Sequence, residues 1–116
     1  MITYNVIDAI SVLTPGACCL CEANENGEFL YENINWQEEE ITIPTREAVE
    51  AKVAELQAAE PMRYLREVRD AKLAETDVWA LGDRTMTAEQ IAYRQALRDL
   101  PANTTDPANP VWPTKP

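Results

Sequence analysis

Histidine is absent from the 116 residues, which removes the commonest general base, proton shuttle and imidazole metal ligand at once. A long apolar run is also missing: nothing approaches the roughly 18–20 residues of a membrane span, and the N-terminus has neither the basic start nor the apolar core of a secretory signal. A product that is cytoplasmic at synthesis is therefore expected, with no membrane partner. The three cysteines crowd into positions 18, 19 and 21. An odd, clustered set is not a disulfide framework. Without a distant fourth ligand it is also a poor zinc site, so no metal and no cofactor are expected, and cysteine as a small apolar strand residue is the better account.

Basic charge is scarce only in one half. Residues 1–60 hold 12 acidic and 2 basic side chains, net −10, whereas residues 61–116 hold 8 of each. With no basic excess to release counterions from phosphates, nucleic acid is not an expected partner. The acidic half is either a solubilising face or a surface for a basic partner. The length fits one domain with an appendage.

Residues 1–13 fit either a short helix, with Ile7, Ile10 and Leu13 or Ser11 on one face, or a strand over residues 1–7. Pro15-Gly16 stops whichever forms. Residues 17–23 suit a strand, and Asn24 to Gly27 supply residues that tolerate a tight turn. Ile34 and Trp36 then share a face at period two. The expectation is a small antiparallel hairpin or meander that must lean on a helix or a partner chain, because two strands alone are marginal. Glu38, Glu39 and Glu40 read as a solvated loop.

Thr45 is a good N-cap for a helix over residues 46–59, with Glu47 in its first turn. Val49, Val53 and Leu56 form its narrow apolar stripe. Pro61 then either starts a new helix or kinks a continuous one, a new start or sharp kink being expected. Met62, Tyr64, Leu65, Val68 and Leu73 are apolar positions of the segment that follows. Arg63 and Arg66 precede Glu67 and Asp70 by four residues, and such pairs are worth a few tenths of a kcal/mol. Trp79 links this helix to the next as the structural anchor of the pair, and its burial would remove about 150–250 Å² from water. Thr87 and Gln90 form a capping box. Ile91 or Tyr93, Ala96, Leu97 and Leu100 make the facing stripe, with Leu97 a second anchor, and Pro101 ends the helix. Arg94 and Arg98 can reach carboxylates in the partner helix or in the acidic half.

Residues 102–116 carry four of the eight prolines and read as an extended tail, with Val111-Trp112-Pro113 as the anchor for docking on the domain or on another chain. The fold class is α+β: an N-terminal antiparallel β-hairpin or meander, a helix, and a C-terminal helical hairpin with an extended proline-rich tail. Expected divisions are 1–44, 45–60 and 61–116.

Four stretches, MRYLREVRDAKLAETD at 62–77, Trp79 followed by Asp83, YRQALRDLP at 93–101 and VWPTKP at 111–116, resemble the phage tail assembly chaperone proteins, also called tail fibre assembly proteins. The family's usual form places an aromatic directly after the aspartate, whereas Val78 intervenes before Trp79 here. The match covers about half the chain. More loosely, Asn33 to Trp36, Pro44-Thr45 and residues 53–61 are similar to the domain that often precedes this module. The resemblance implies a non-enzymatic protein with no catalytic residues that binds the tail fibre or another tail protein and assists its folding, trimerisation or attachment. The alternative it implies is a permanent structural component of the virion tail, fibre or baseplate. It further implies action in the host cytoplasm or retention in the virion tail, and a homo-oligomer matched to fibre symmetry. Trp112, Val111, Arg94, Arg98, Arg66 and Trp36 are the candidate partner-binding residues.

Overall fold

Asn5 decides how the chain begins. Its side-chain oxygen accepts from the Ile7 and Asp8 amides at 2.9 and 3.3 Å, while the Asp8 carboxylate accepts from the Asn5 amide at 2.8 Å. This reciprocal box satisfies orphan amides at a helix start, so in the computed structural model, which describes residues 1–37 and 42–116, α1 runs from Val6 to Leu13 rather than forming a strand. Its buried face is Val6, Ala9 and Ile10, at i, i+3 and i+4. That corrects the expected face of Ile7, Ile10 and Leu13 or Ser11, of which only Ile10 is fully buried. The box fixes Val6 as the first helical residue, and the inward side follows from there.

β1 (Cys19–Cys21) and β2 (Ile34–Trp36) pair antiparallel, with Cys19 opposite Trp36, Leu20 opposite Asn35 and Cys21 opposite Ile34. The alternation of a strand puts Cys19, Cys21, Ile34 and Trp36 on one face, and all four pack on Val6, Ala9, Ile10 and Val49. Between the strands, the Asn24 side-chain oxygen accepts from the Asn26 and Glu28 amides at 2.9 Å each, and Gly27 takes φ 79°. That backbone region is open to glycine without a Cβ penalty. The Tyr31 hydroxyl donates to the Pro44 carbonyl at 2.7 Å, tying the turn before β2 to the approach of the next helix. The expected glutamate loop at positions 38–40 lies outside the described residues.

α2 spans Arg46–Glu75, with the Thr45 hydroxyl capping the Ala48 amide at 3.2 Å. Val49 is buried and Val53 and Leu56 are half-buried, as the stripe predicts. The expected new start at Pro61 does not occur, because Pro61 lies inside the helix. Proline removes one helical bond, to the Gln57 carbonyl, at a cost of about 3 kcal/mol. Opposing that cost are the strong helix formers on either side and a clamp across the proline. Glu60 is 1 % exposed and accepts from Arg63 Nε and Nη2 at 2.6 and 2.7 Å.

The chain divides into two compact units, Met1–Ala59 and Glu60–Pro116. The second contains the end of α2, a 3-10 turn at Asp77–Ala80, α3 at Ala88–Asn103 and the tail. The Thr87–Gln90 capping box forms as expected, with the two bonds at 2.9 and 3.2 Å. The buried face of α3 is Tyr93, Arg94 and Leu97. Of the alternatives Ile91 or Tyr93 it is Tyr93 that faces inward while Ile91 is exposed, and Ala96, expected inward, is exposed as well. Pro101 does not end α3 either, and the Thr104 hydroxyl donates to the Leu100 carbonyl at 2.6 Å beyond it. Helix and antiparallel sheet occupy different parts of the chain, which makes the fold α+β.

Candidate partner-binding surface

The second unit is built around a buried cation. Arg94 is 7 % exposed and donates to the Leu73 carbonyl at 3.0 Å, the Thr76 hydroxyl at 2.7 Å and the Asp77 carboxylate at 3.0 Å. The last carbonyls of a helix have no partner within it, and a positive charge there is favoured by the helix dipole. Arg94 thus caps α2 from the neighbouring helix α3. Thr76, wholly buried, receives the guanidinium, and its one hydroxyl proton serves the Leu73 carbonyl at 3.0 Å or the Lys72 carbonyl at 3.4 Å. Beside this node Trp79 meets Tyr93 with ring centroids 6.2 Å apart at 57°, a tilted geometry that aromatic quadrupoles favour.

The tail folds back onto the same region. The Lys72 ammonium lies 5.3 Å from the Trp112 ring centroid, the Lys115 ammonium lies 5.8 Å from that of Trp79, and Lys115 pairs with Glu75. Each contact is within cation–π or ion-pair range. Trp112 is half-buried, whereas Val111 next to it is 85 % exposed.

The residues singled out from sequence therefore fall into separate settings. Trp112 and Val111 share the tail, and Trp79 and the wholly buried Leu97 lie in the same unit as that tail. Arg66 and Arg98 are exposed on α2 and α3. Arg94 faces inward, its two Nη groups bonded within the chain while its Nε is buried without a hydrogen-bond partner. Trp36 is half-buried on the first unit's core. Of the two expected helical pairs, Arg63–Glu67 forms at 2.9 Å, while Asp70 pairs with Arg69 instead of Arg66. Lys72, Glu75, Thr76 and Lys115 carry contacts that sequence reasoning missed. The signal available for them was the i,i+3 spacing of Lys72 with Glu75 and of Trp112 with Lys115.

The cysteines show no sign of activation. Burial first, and the adjoining thiols second, push Cys19 and Cys21 above the ordinary thiol range, the opposite of what a nucleophile needs. Among the described residues no cluster of His, Cys, Asp or Glu could hold a metal ion, and no helix is long and apolar enough to cross a membrane.

Residues 62–116 match the family model described as phage tail assembly chaperone protein. Over those 55 of the 116 residues the chain is similar to the phage tail assembly chaperone proteins. The matched segment begins two residues into the second unit and runs to the last residue, so it holds the Arg94 node, the Trp79–Tyr93 pair and the docked tail together. No curated protein and no solved structure matches the chain.

The tail contact of the second unit has a pH dependence whose sign follows from Glu75. Lys115 beside it holds the Glu75 carboxyl below the ordinary carboxylate range, with Lys72 contributing less. A depressed carboxylate pKa means that the docked state is favoured above the ordinary range and loses that advantage as pH falls through the lowered value. The Trp112 indole NMR signal is therefore expected to stay unchanged above the ordinary carboxylate range and to move towards its unfolded-peptide position as pH falls through the lowered value. Because the pair is exposed, high salt should produce the same change at neutral pH.

Proposed function

We propose that this chain is a non-enzymatic assembly factor that binds a phage tail fibre and assists its folding, trimerisation or attachment. The observation that carries the reading is the family match over nearly all of the second unit. Physical features agree with it. Beyond the tail, Val78, Leu81 and Ile91 of the second unit are each about half exposed, at 46, 52 and 51 %, which suits a surface meant to be covered by another chain. Exposed Arg66 and Arg98, with Val111 and Trp112, are the first contacts this reading assigns to the fibre. It places the action in the host cytoplasm during assembly.

Co-expression of the fibre from the same phage, with and without this chain, tests the proposal. The expected result is co-purification and a several-fold higher yield of soluble trimeric fibre. Equal yields with no co-purification would refute it. Mass spectrometry of purified virions separates a transient factor, which should be absent, from a permanent tail component.

A further inference from the structure

We propose that the patch formed by Lys72, Glu75 and Trp79 is a recognition site for an extended segment carrying an aromatic residue and, three residues later, a cation, and that the chain's own C-terminus fills it until such a segment from the tail protein displaces it. The chemistry of the ligand is read from the segment seated there. Two cation–π contacts run in opposite senses: the body's Lys72 meets the tail's Trp112, and the tail's Lys115 meets the body's Trp79. Glu75 adds an ion pair to that same Lys115.

The spacing matches on both sides. An extended polyproline-type chain has three residues per turn, so positions i and i+3 project to the same side, and Pro113 between Trp112 and Lys115 favours that form. On α2, Lys72 and Glu75 are also i,i+3 and share a helix face. The site thus selects an aromatic–x–x–cation pattern in an extended chain.

The bound tail is suited to displacement. Its contacts to the patch are exposed or half-exposed side-chain pairs that salt screens, and Val111 at the start of the docked segment is 85 % exposed. What holds it is largely tethering: a short linker gives the tail an effective concentration on the order of millimolar at its own site. A fibre segment that repeats the pattern and adds contacts of its own can compete against that concentration, and the released tail then exposes Trp112 for a second contact.

The displacement step rests on the fibre-binding reading, while the site itself does not, and two experiments separate them. In the first, the full chain and its Trp112→Ala, Lys115→Ala double variant are titrated with a synthetic peptide of residues 109–116 and followed by amide NMR. Neither substituted side chain belongs to the buried core. The variant should show shifts at Lys72, Glu75 and Trp79, and the unaltered chain should bind about ten-fold more weakly because its site is filled. A peptide with alanine at the Trp112 and Lys115 positions should not bind. Equal affinities, or shifts elsewhere, would overturn the site. Lys115→Ala alone, which loosens the tail and leaves the patch intact, should give an intermediate affinity and serves if the double variant is unstable. In the second experiment, the co-expressed fibre should be captured several-fold better by Lys115→Ala alone, which loosens the tail and keeps Trp112, than by the unaltered chain. Equal or weaker capture overturns displacement. Failure of both to capture any fibre refutes the fibre reading, and the peptide titration alone then decides the site.

Discussion

Replacing Arg94 with methionine is expected to destabilise the second unit by about 2–4 kcal/mol. The estimate comes from three hydrogen bonds by a charged donor, of which those to charged partners are worth about 1.5–3 kcal/mol each, less the desolvation that a buried guanidinium no longer bears. Methionine preserves most of the apolar stem, so the loss reports the head group rather than a cavity. Lysine should rescue little. A single ammonium cannot reach the Leu73 carbonyl, the Thr76 hydroxyl and the Asp77 carboxylate with the geometry of a planar fork.

The partners of Arg94 should not respond equally. Asp77 is 67 % exposed on its side chain and is solvated when released, so Asp77→Ala should cost less than about 1 kcal/mol. Thr76 is wholly buried, and Thr76→Val should remove the hydroxyl that both accepts from Arg94 and donates to an α2 carbonyl, at about 1–3 kcal/mol. Native-state hydrogen exchange of the α3 amides is the measurement, because it reads the opening of this unit separately. An Arg94→Met change within about 0.5 kcal/mol of the parent would show that the hydrogen bonds of the guanidinium no more than offset its desolvation.

This node shows where legibility ended. The hairpin of two short strands, the helical character of residues 46–59 and of the segment after Thr87, and the α+β class could be read from periodicity and turn residues. So could the Thr87–Gln90 box, because every interaction in it spans three residues. A carboxylate partner for Arg94 could be read, but its burial and its cap on α2 could not, since its partners lie 17 to 21 residues back along the chain. Seen alone, arginine on a helix reads as solvent-facing, and the true inward face of α3 was misplaced by the width of that one side chain.

Punctuation misled in the same way at Pro61 and Pro101. Pro101 reads as a helix end and Pro61 as a new start or a kink in a continuous helix, yet each sits inside a helix. A proline costs one backbone bond locally, and the outcome depends on whether neighbours offset it. At Pro61 the offset includes the Glu60–Arg63 clamp, which is not visible until the burial of Glu60 is known. At the N-terminus the error ran the other way. Asn5 and Asp8 form a strong helix start, but the β-branched residues around them kept a strand reading open. The tail was legible as an anchored segment through Trp112, while its receiving patch became visible only once Lys72, Glu75 and Trp79 were placed together.

The largest effect is expected at Leu97. Its side chain is wholly buried, and leucine to alanine at such sites costs about 2–5 kcal/mol from lost transfer energy plus the residual cavity. The buried apolar set of this unit is small, comprising Leu65, Tyr93 and Leu97, and small domains hold only about 5 kcal/mol in total. Leu97→Ala should therefore leave α3 largely unprotected against hydrogen exchange at 25 °C. Ile91 provides the internal comparison, because the sequence stripe admits both residues to one face whereas the structure leaves Ile91 51 % exposed. Ile91→Ala should change stability by no more than about 0.5 kcal/mol. If the two substitutions proved equally costly in hydrogen exchange or urea unfolding, the inward face of α3 would have to be turned towards Ile91. The Arg94 cap on α2 could not then be made from this helix.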